Sequence, residues 1–515
     1  MFDEDVAFLD VPGLIARHAL QDPGAPAVIE GEWRLDFGQL DALMDRAAAA
    51  LQQEGFVPGD VVALCGASSL EYLGLFLGAL RAGVAVAPLA PGSTPAQLAD
   101  MVRDAGAKLL AVDAEAEALL DAAGVQLPPG LHRLRFDALH AWMAAEGAKP
   151  TPVDIQPDWP FNLIYSSGTT GTPKGIVQSH AMRWSHVRRA STFGYGPGTV
   201  TLASTPLYSN TTLVSVLPAL ATGGAVVLMP KFDAARYLAL AQEEGATHTM
   251  LVPVQYQRLL AHPDFVHADL SRLTWKFCTS APFPAALKGE VLRRWPGQLV
   301  EYYGMTEGGG TCILLAHAHP DKLHTVGQPA EGHDIRLIDE DGREVPAGEI
   351  GEVVGRSTAM MTGYHRLPEK TAEAEWHDAE GRRYIRTGDV ARFDADGFLI
   401  LLDRRKDLII SGGFNVYAVD LEAVLLQHPA VLEAAVIGIP SAQWGETPVA
   451  IVVLHAGEWA EAEALRSFVN ERVGKTQRLS ALRFATELPR SAIGKVLKRE
   501  LRSAWFDDDR SHRLN

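Results

Sequence analysis

Residues Tyr165 to Gly175 read YSSGTTGTPKG, and the rest of the chain is best read outward from them. The stretch holds three glycines, five serine or threonine hydroxyls and one lysine. Glycine lets successive backbone N–H groups turn towards one anion, the hydroxyls add donors, and Lys174 adds a point charge. The strand-like FNLIY runs into it. It is therefore a candidate phosphate loop, set against the bland reading of a flexible surface loop. The spacing does not fit G-x-x-x-x-G-K-[ST], because position 173 is proline, so a P-loop ATPase or GTPase is disfavoured. AMRWSHVRR reads as a helix capped by Ser179, nine residues beyond Thr170, too far for its dipole to be counted on at the loop.

On the N-terminal side, DALMDRAAAALQQEG has helical spacing, DVVALCG is a short strand, SLEYLGLFLGALRAG is a helix starting near Ser69, and VAVAPLA is again a strand. On the C-terminal side GGAVVLM, AARYLALAQEEG and ATHTMLVP repeat the alternation. Such alternation predicts layered α/β architecture with a largely parallel sheet. From about Gly327, HDIRLIDEDGREVPAGEIGEVVGRS carries short strands around Asp-Gly turns and reads as a β-rich subdomain. Beyond RRKDLIISGGFNVY lies a compact pattern: helix DLEAVLLQH, strands LEAAVIGIP and PVAIVVL, helix AEALRSFVNERV. The expected organisation is a large N-terminal domain of layered α/β subdomains over residues 1–402, with its β-rich part at about 327–402, and a small C-terminal α+β domain over 403–515.

Bulk properties set the limits. A chain of 515 residues is too long for one hydrophobic core. With 47% hydrophobic and 21% charged residues it is ordinary soluble globular material. A net charge of -17 repels nucleic-acid phosphates and anionic lipid, so neither is an expected partner. Cys65, Cys278 and Cys312 are far apart with no C-x-x-C pair, which predicts buried free thiols in a reducing compartment. MFDEDVAFLD lacks the basic region of a signal peptide, and TTLVSVLPALATGGAVVLMP is broken by Pro218, Gly223 and Gly224. A cytoplasmic protein without a membrane span is expected.

The full string [ST]-[SG]-G-[ST]-T-G-x-P-K-G resembles the signature of the acyl-adenylate-forming superfamily: acyl-CoA synthetases, peptide-synthetase adenylation domains and beetle luciferases. Further motifs of that family follow in order, and the resemblance covers roughly residues 10 to 505. It implies that Ser166, Ser167, Gly168, Thr169, Thr170, Gly171 and Lys174 hold ATP phosphates. In YYGMTEG it implies Tyr303 against adenine with Tyr302 and Gly304 beside it, Thr306 at the α-phosphate, and Glu307 with Thr170 holding Mg²⁺. By itself a Thr-Glu pair is more often a helix cap. In YIRTGDV it implies ribose binding by Asp389; in LLDRRKDLIISGG it implies a second ribose contact from Arg404 and a hinge at Asp403. Alone, that charge run reads as a solvated face. In LPRSAIGKVLKREL, Lys495 matches the catalytic lysine, carried by a mobile C-terminal domain. Pro489 to Lys495 also reads P-x-x-x-x-G-K, which in similar synthetases marks a lysine open to a lysine acetyltransferase. Acetylation would remove its charge.

The resemblance further implies adenine recognition by Ser280, Ala281 and Pro282 of CTSAPFP, although this departs from the common Gly-Ala-Ala-Pro. The implied acyl pocket includes Tyr208, Ser209, Asn210, Leu213, Ser280 and Gly308. PLYSNTTLV carries no acid to pair with an α-ammonium, so an α-amino acid is disfavoured. Gly412, Gly413 and Phe414 would line a pantetheine tunnel, Trp444 would stack on the nucleotide end of CoA, and Arg478 would meet a CoA phosphate. GKTQRL replaces the family's frequent K-x-P-K near Arg478. The expected activity is ATP-dependent formation of an acyl-AMP and transfer to CoA, with an aromatic or medium-chain apolar acid as substrate. The alternatives are a stand-alone enzyme loading a carrier protein, a luciferase-like oxidation, and a non-catalytic nucleotide sensor. Similar proteins are monomers or homodimers.

Overall fold

The computed structural model describes residues 8–166, 174–404, 407–411, 414–441, 444–474, 477–491 and 494–512. It divides into two compact units, Met1–Ile335 with Gly355–Ile385, and Arg336–Val354 with Arg386–Asn515.

The first unit is built on two sheets. In the seven-stranded one, Val61–Cys65 lies parallel between Ala85–Leu89 and Leu109–Val112, and all three strands are buried along their length. Burial on both faces is why DVVALCG and VAVAPLA read as unbroken apolar runs. The helices between them start where side chains satisfy the first N–H groups. Asp36 and Gln39 form a reciprocal capping box on Phe37–Gln53, and Ser69 accepts from the Tyr72 N–H ahead of Leu70–Arg81. The nine-stranded sheet has six consecutive parallel strands: Gln298–Gly304, Trp275–Cys278, His248–Leu251, Val200–Ala203, Ala225–Leu228 and Pro26–Glu30. The expected layered α/β architecture is therefore present. Cys65, Cys278 and Cys312 are buried and unpaired. Among the described residues no helix is long and apolar enough to cross a membrane.

The second unit holds an antiparallel hairpin, Val431–Ser441 with Gly445–Leu454, extended on one side by Ile409–Ser411 and by Ala481–Phe484 in parallel. The helices Ala418–Leu425 and Ala462–Asn470 bury Leu421, Leu425, Leu465 and Val469 against it. The stretch expected to be β-rich does form strands, among them Asp334–Ile338, Gly351–Arg356 and Arg383–Phe393. The chain passes from one unit to the other along these strands.

Candidate functional site

Loops that follow parallel strands gather at the sheet's carboxyl edge, the usual ligand side of α/β sheets. Three expected segments sit there. Residues 204–213 follow Val200–Ala203, Thr279–Pro282 follow Trp275–Cys278, and Met305–Gly308 follow Gln298–Gly304.

The phosphate-loop candidate joins Pro160–Ser166 to Lys174–Ser179, an antiparallel pair in which Ser166 stands opposite Lys174. Ser167, Gly168, Thr169, Thr170 and Gly171 lie outside the described residues. The ammonium of Lys174 stands 5.0 Å from the centre of the Tyr364 ring. The Tyr364 hydroxyl donates to Glu307 Oε1 at 2.9 Å. Burial, and then the neighbouring Glu307 carboxylate, push the Tyr364 phenol well above its ordinary range, so it stays a donor. Tyr364 is held in place by a short strand, Gly363–Tyr364, paired with Lys174–Ser179.

The segment after Gly304 is pinned through its backbone. Gln178 Nε2 donates to the Thr306 carbonyl at 2.7 Å, and the Met361 N–H donates to the Glu307 carbonyl at 2.8 Å. Gly308 has φ +73, and a Cβ built there would fall 1.7 Å from the Ala359 carbonyl oxygen. Ser357 Oγ donates to the Gly308 carbonyl at 2.9 Å. Tyr302 stacks on Phe277 with ring centres 5.7 Å apart, and Tyr303 follows it on the alternating strand.

Ser209 caps the helix Asn210–Ala221, and Leu213 is fully buried. Burial pushes the Tyr208 phenol up to about 12. Asn210 Oδ1 accepts from Arg183 Nη1 at 2.9 Å. The Thr211 hydroxyl bonds the Ser280 hydroxyl, and Thr279 Oγ1 donates to the Tyr302 carbonyl at 2.9 Å. Ala281 is half-buried and Pro282 exposed. Ser280 itself has φ +80, a conformation that favours glycine. In urea unfolding, Ser280→Gly is expected to be about 1 kcal/mol more stable than Ser280→Ala, since both lose the hydroxyl and only glycine loses the strain. Equal stability would mean that this backbone is relaxed.

In the second unit, Asp389 and Arg404 stand directly opposite one another in an antiparallel pair, with Asp403 opposite Val390. Lys495 follows a tight turn. Its N–H donates to Ser491 Oγ at 3.2 Å, its carbonyl accepts from the Ser491 N–H at 2.8 Å, and Arg490 Nη1 donates to the Gly494 carbonyl at 2.7 Å. Gly412 and Gly413 lie outside the described residues. Ser411, just before them, pairs with both Phe414 and Gly445, which brings Phe414 and the neighbour of Trp444 to one sheet end. Trp444 is 51% exposed, and Arg478 is exposed as well.

Sequence reasoning missed Tyr364, Gln178, Arg183 and Thr211. A glutamine inside the apolar strand KGIVQS was a usable signal, because a buried polar side chain must find a partner. Tyr364 offered none, since nothing local ties it to Glu307.

The family model of the AMP-binding enzyme matches residues 15–365, and that of the AMP-binding enzyme C-terminal domain matches residues 420–495. The chain belongs to the AMP-binding enzyme family and is a ligase of that family. It is 34% identical to a feruloyl-CoA synthase of an Amycolatopsis species, covering 94% of this chain and 97% of that one. It is 32% identical to a fatty acid–[acyl-carrier-protein] ligase, ScoC, of Streptomyces coeruleorubidus, covering 95% of each. The solved structure of ATP-bound MatB from Rhodopseudomonas palustris is similar with a TM-score of 0.86 and 30% identity, over 96% of this chain and 99% of that one.

Proposed function

We propose that this chain is an acyl-CoA synthetase that activates a carboxylic acid with ATP and passes the acyl group to CoA. In the first step a carboxylate oxygen attacks the α-phosphorus, and the bond to pyrophosphate breaks. In the second the CoA sulfur attacks the acyl carbon, and AMP leaves. The observation that carries this reading is the contact line Lys174–Tyr364–Glu307, which sets the cation of the phosphate hairpin beside a hard carboxylate within one unit. The loop 166–174 would grip the leaving phosphates, Thr306 would meet the α-phosphate, and Tyr302, Tyr303, Gly304 and Ser280–Pro282 would receive adenine. Asp389 and Arg404 would take the ribose hydroxyls.

The residues present fit Mg²⁺. Glu307 Oε2 has no protein partner among the described residues, and no described group of three or more His, Cys, Asp or Glu forms a protein-only cage. That is the donor set of an ion shared with phosphates. Glu307 and Thr170 would hold it, and bound there it would neutralise phosphate oxygens.

Lys495 would oppose charge on the carboxylate and α-phosphate during the first step only. The domain over residues 403–515, turning at Asp403, would then withdraw it and present Gly412, Gly413 and Phe414 to the thiol, with Trp444 and Arg478 on the CoA nucleotide. Acetylation of Lys495 would switch off the first step. The body of the acid is aromatic or medium-chain, supported by the buried Leu213 and the absence of any acid in PLYSNTTLV.

A second reading, loading of a carrier protein, is favoured by the similarity to ScoC. A carboxylic-acid panel assayed for AMP release with CoA, and then with an acyl carrier protein, separates the two. Turnover with CoA alone supports the synthetase. Turnover only with the carrier replaces it, and no turnover with any acid overturns both.

A further inference from the structure

The helix His180–Ala190 turns several basic groups inward, and none of them has a carboxylate partner among the described residues. Arg183 is 1% exposed, donates to Asn162 and Asn210, and lies over the Phe161 ring. His186 Nδ1 is buried without a hydrogen-bond partner. Arg189 is half-buried over the Tyr302 ring, 6.0 Å from its centre. Burial is the leading cause that lowers the pKa of Arg183, His186 and Arg189, and no nearby carboxylate offsets it.

Arg189 Nη1 stands 3.1 Å from His333 Nε2. His333 Nδ1 accepts from the Thr311 backbone N–H at 2.9 Å. A backbone N–H can only donate, so Nδ1 carries no proton, and the neutral ring must carry its proton on Nε2. Two donors therefore face each other, a guanidinium N–H and an imidazole N–H. An unscreened donor pair of this kind is costly unless an acceptor joins it. Both side chains remain partly accessible, so such an acceptor can reach them.

The pair lies beside the expected acyl pocket. Met182, one and two turns before His186 and Arg189, is among the atoms a Gly308 Cβ would meet, at 2.8 Å. Ser185 reaches Thr358 at 3.4 Å, and Thr311 follows Gly308–Gly310 directly. The geometry points to a substrate acid that carries a second anionic group, whose oxygens are received by Arg189 and His333 while its other carboxylate is activated. This rests on the acyl-activating reading above and sharpens it: the body of the acid is apolar, and its far end is not. Dicarboxylic acids are the simplest members of this class.

The test compares matched pairs, hexanoic with adipic, octanoic with suberic, and benzoic with terephthalic acid, in ATP–pyrophosphate exchange by the full chain. The wild type is expected to favour the diacid in at least one pair. In Arg189→Met the kcat/KM for that diacid should fall by at least about 30-fold, while that for its monoacid changes by less than about threefold. Arg189→Lys, which keeps the charge, should retain part of the preference. A wild type that favours the monoacid in every pair overturns the inference while leaving acyl activation standing, and that comparison needs no variant. An equal loss for both acids in a folded Arg189→Met overturns it too. Absence of exchange with every acid overturns acyl activation, and this inference with it.

Discussion

Lys495→Ala is expected to lower acid-dependent pyrophosphate exchange by at least about 10²–10³-fold, the scale on which one preorganised charge-stabilising donor is lost. Thioester formation from supplied acyl-AMP and CoA should stay within about threefold of wild type, because the proposed second step does not use the ammonium. The contrast is readable because the turn carries hydrogen bonds that Lys495→Ala leaves in place. Its hydrogen bonds run between Ser491, Gly494, the Lys495 backbone and Arg490, with a further one from the Leu497 N–H to the Pro489 carbonyl. Equal loss of both half-reactions in a folded variant would sink the division of labour between them.

Gly308→Ala is expected to cost about 4 kcal/mol or more and to lower exchange by over about 100-fold. Two physical effects combine. The residue sits at φ +73, and its Cβ would fall 1.7 Å from a backbone oxygen, that of Ala359, which cannot swing aside as a side chain would. Relief would require moving the 357–361 segment, and Met361 N–H holds the Glu307 carbonyl. Gly381→Ala is the control. At φ +75 with open space around its Cβ, it should cost only about 1 kcal/mol. Similar losses in the two variants, measured by chemical denaturation, would show that close approach is not what Gly308 provides.

Local rules made much of the fold legible. Ser69 and Ser179 cap the helices that follow them, and the buried parallel strands show as continuous apolar runs. The phosphate-loop string located its hairpin, because glycine, hydroxyl and lysine were all needed within a few residues. What lay beyond reach was pairing at long range. Tyr364 meets Lys174 and Glu307 only because two strands place it there, and no periodicity links segments that far apart. Ser280 gave no hint of its positive φ, since that conformation normally announces itself as glycine. From sequence, AMRWSHVRR reads only as a helix capped by Ser179. Two of its basic side chains turn inward all the same, Arg183 onto Asn162 and Asn210 and His186 with its Nδ1 lacking a hydrogen-bond partner, and no local pattern marks them out from Arg188, which stays exposed.

The most direct test of acyl activation is carboxylic-acid-dependent exchange of labelled pyrophosphate into ATP by the full chain with Mg²⁺, followed by addition of CoA. Acyl activation followed by transfer to CoA predicts exchange that requires the acid, and stoichiometric AMP and acyl-CoA once CoA is present. Exchange independent of any acid, or phosphate and ADP in place of pyrophosphate and AMP, would contradict it.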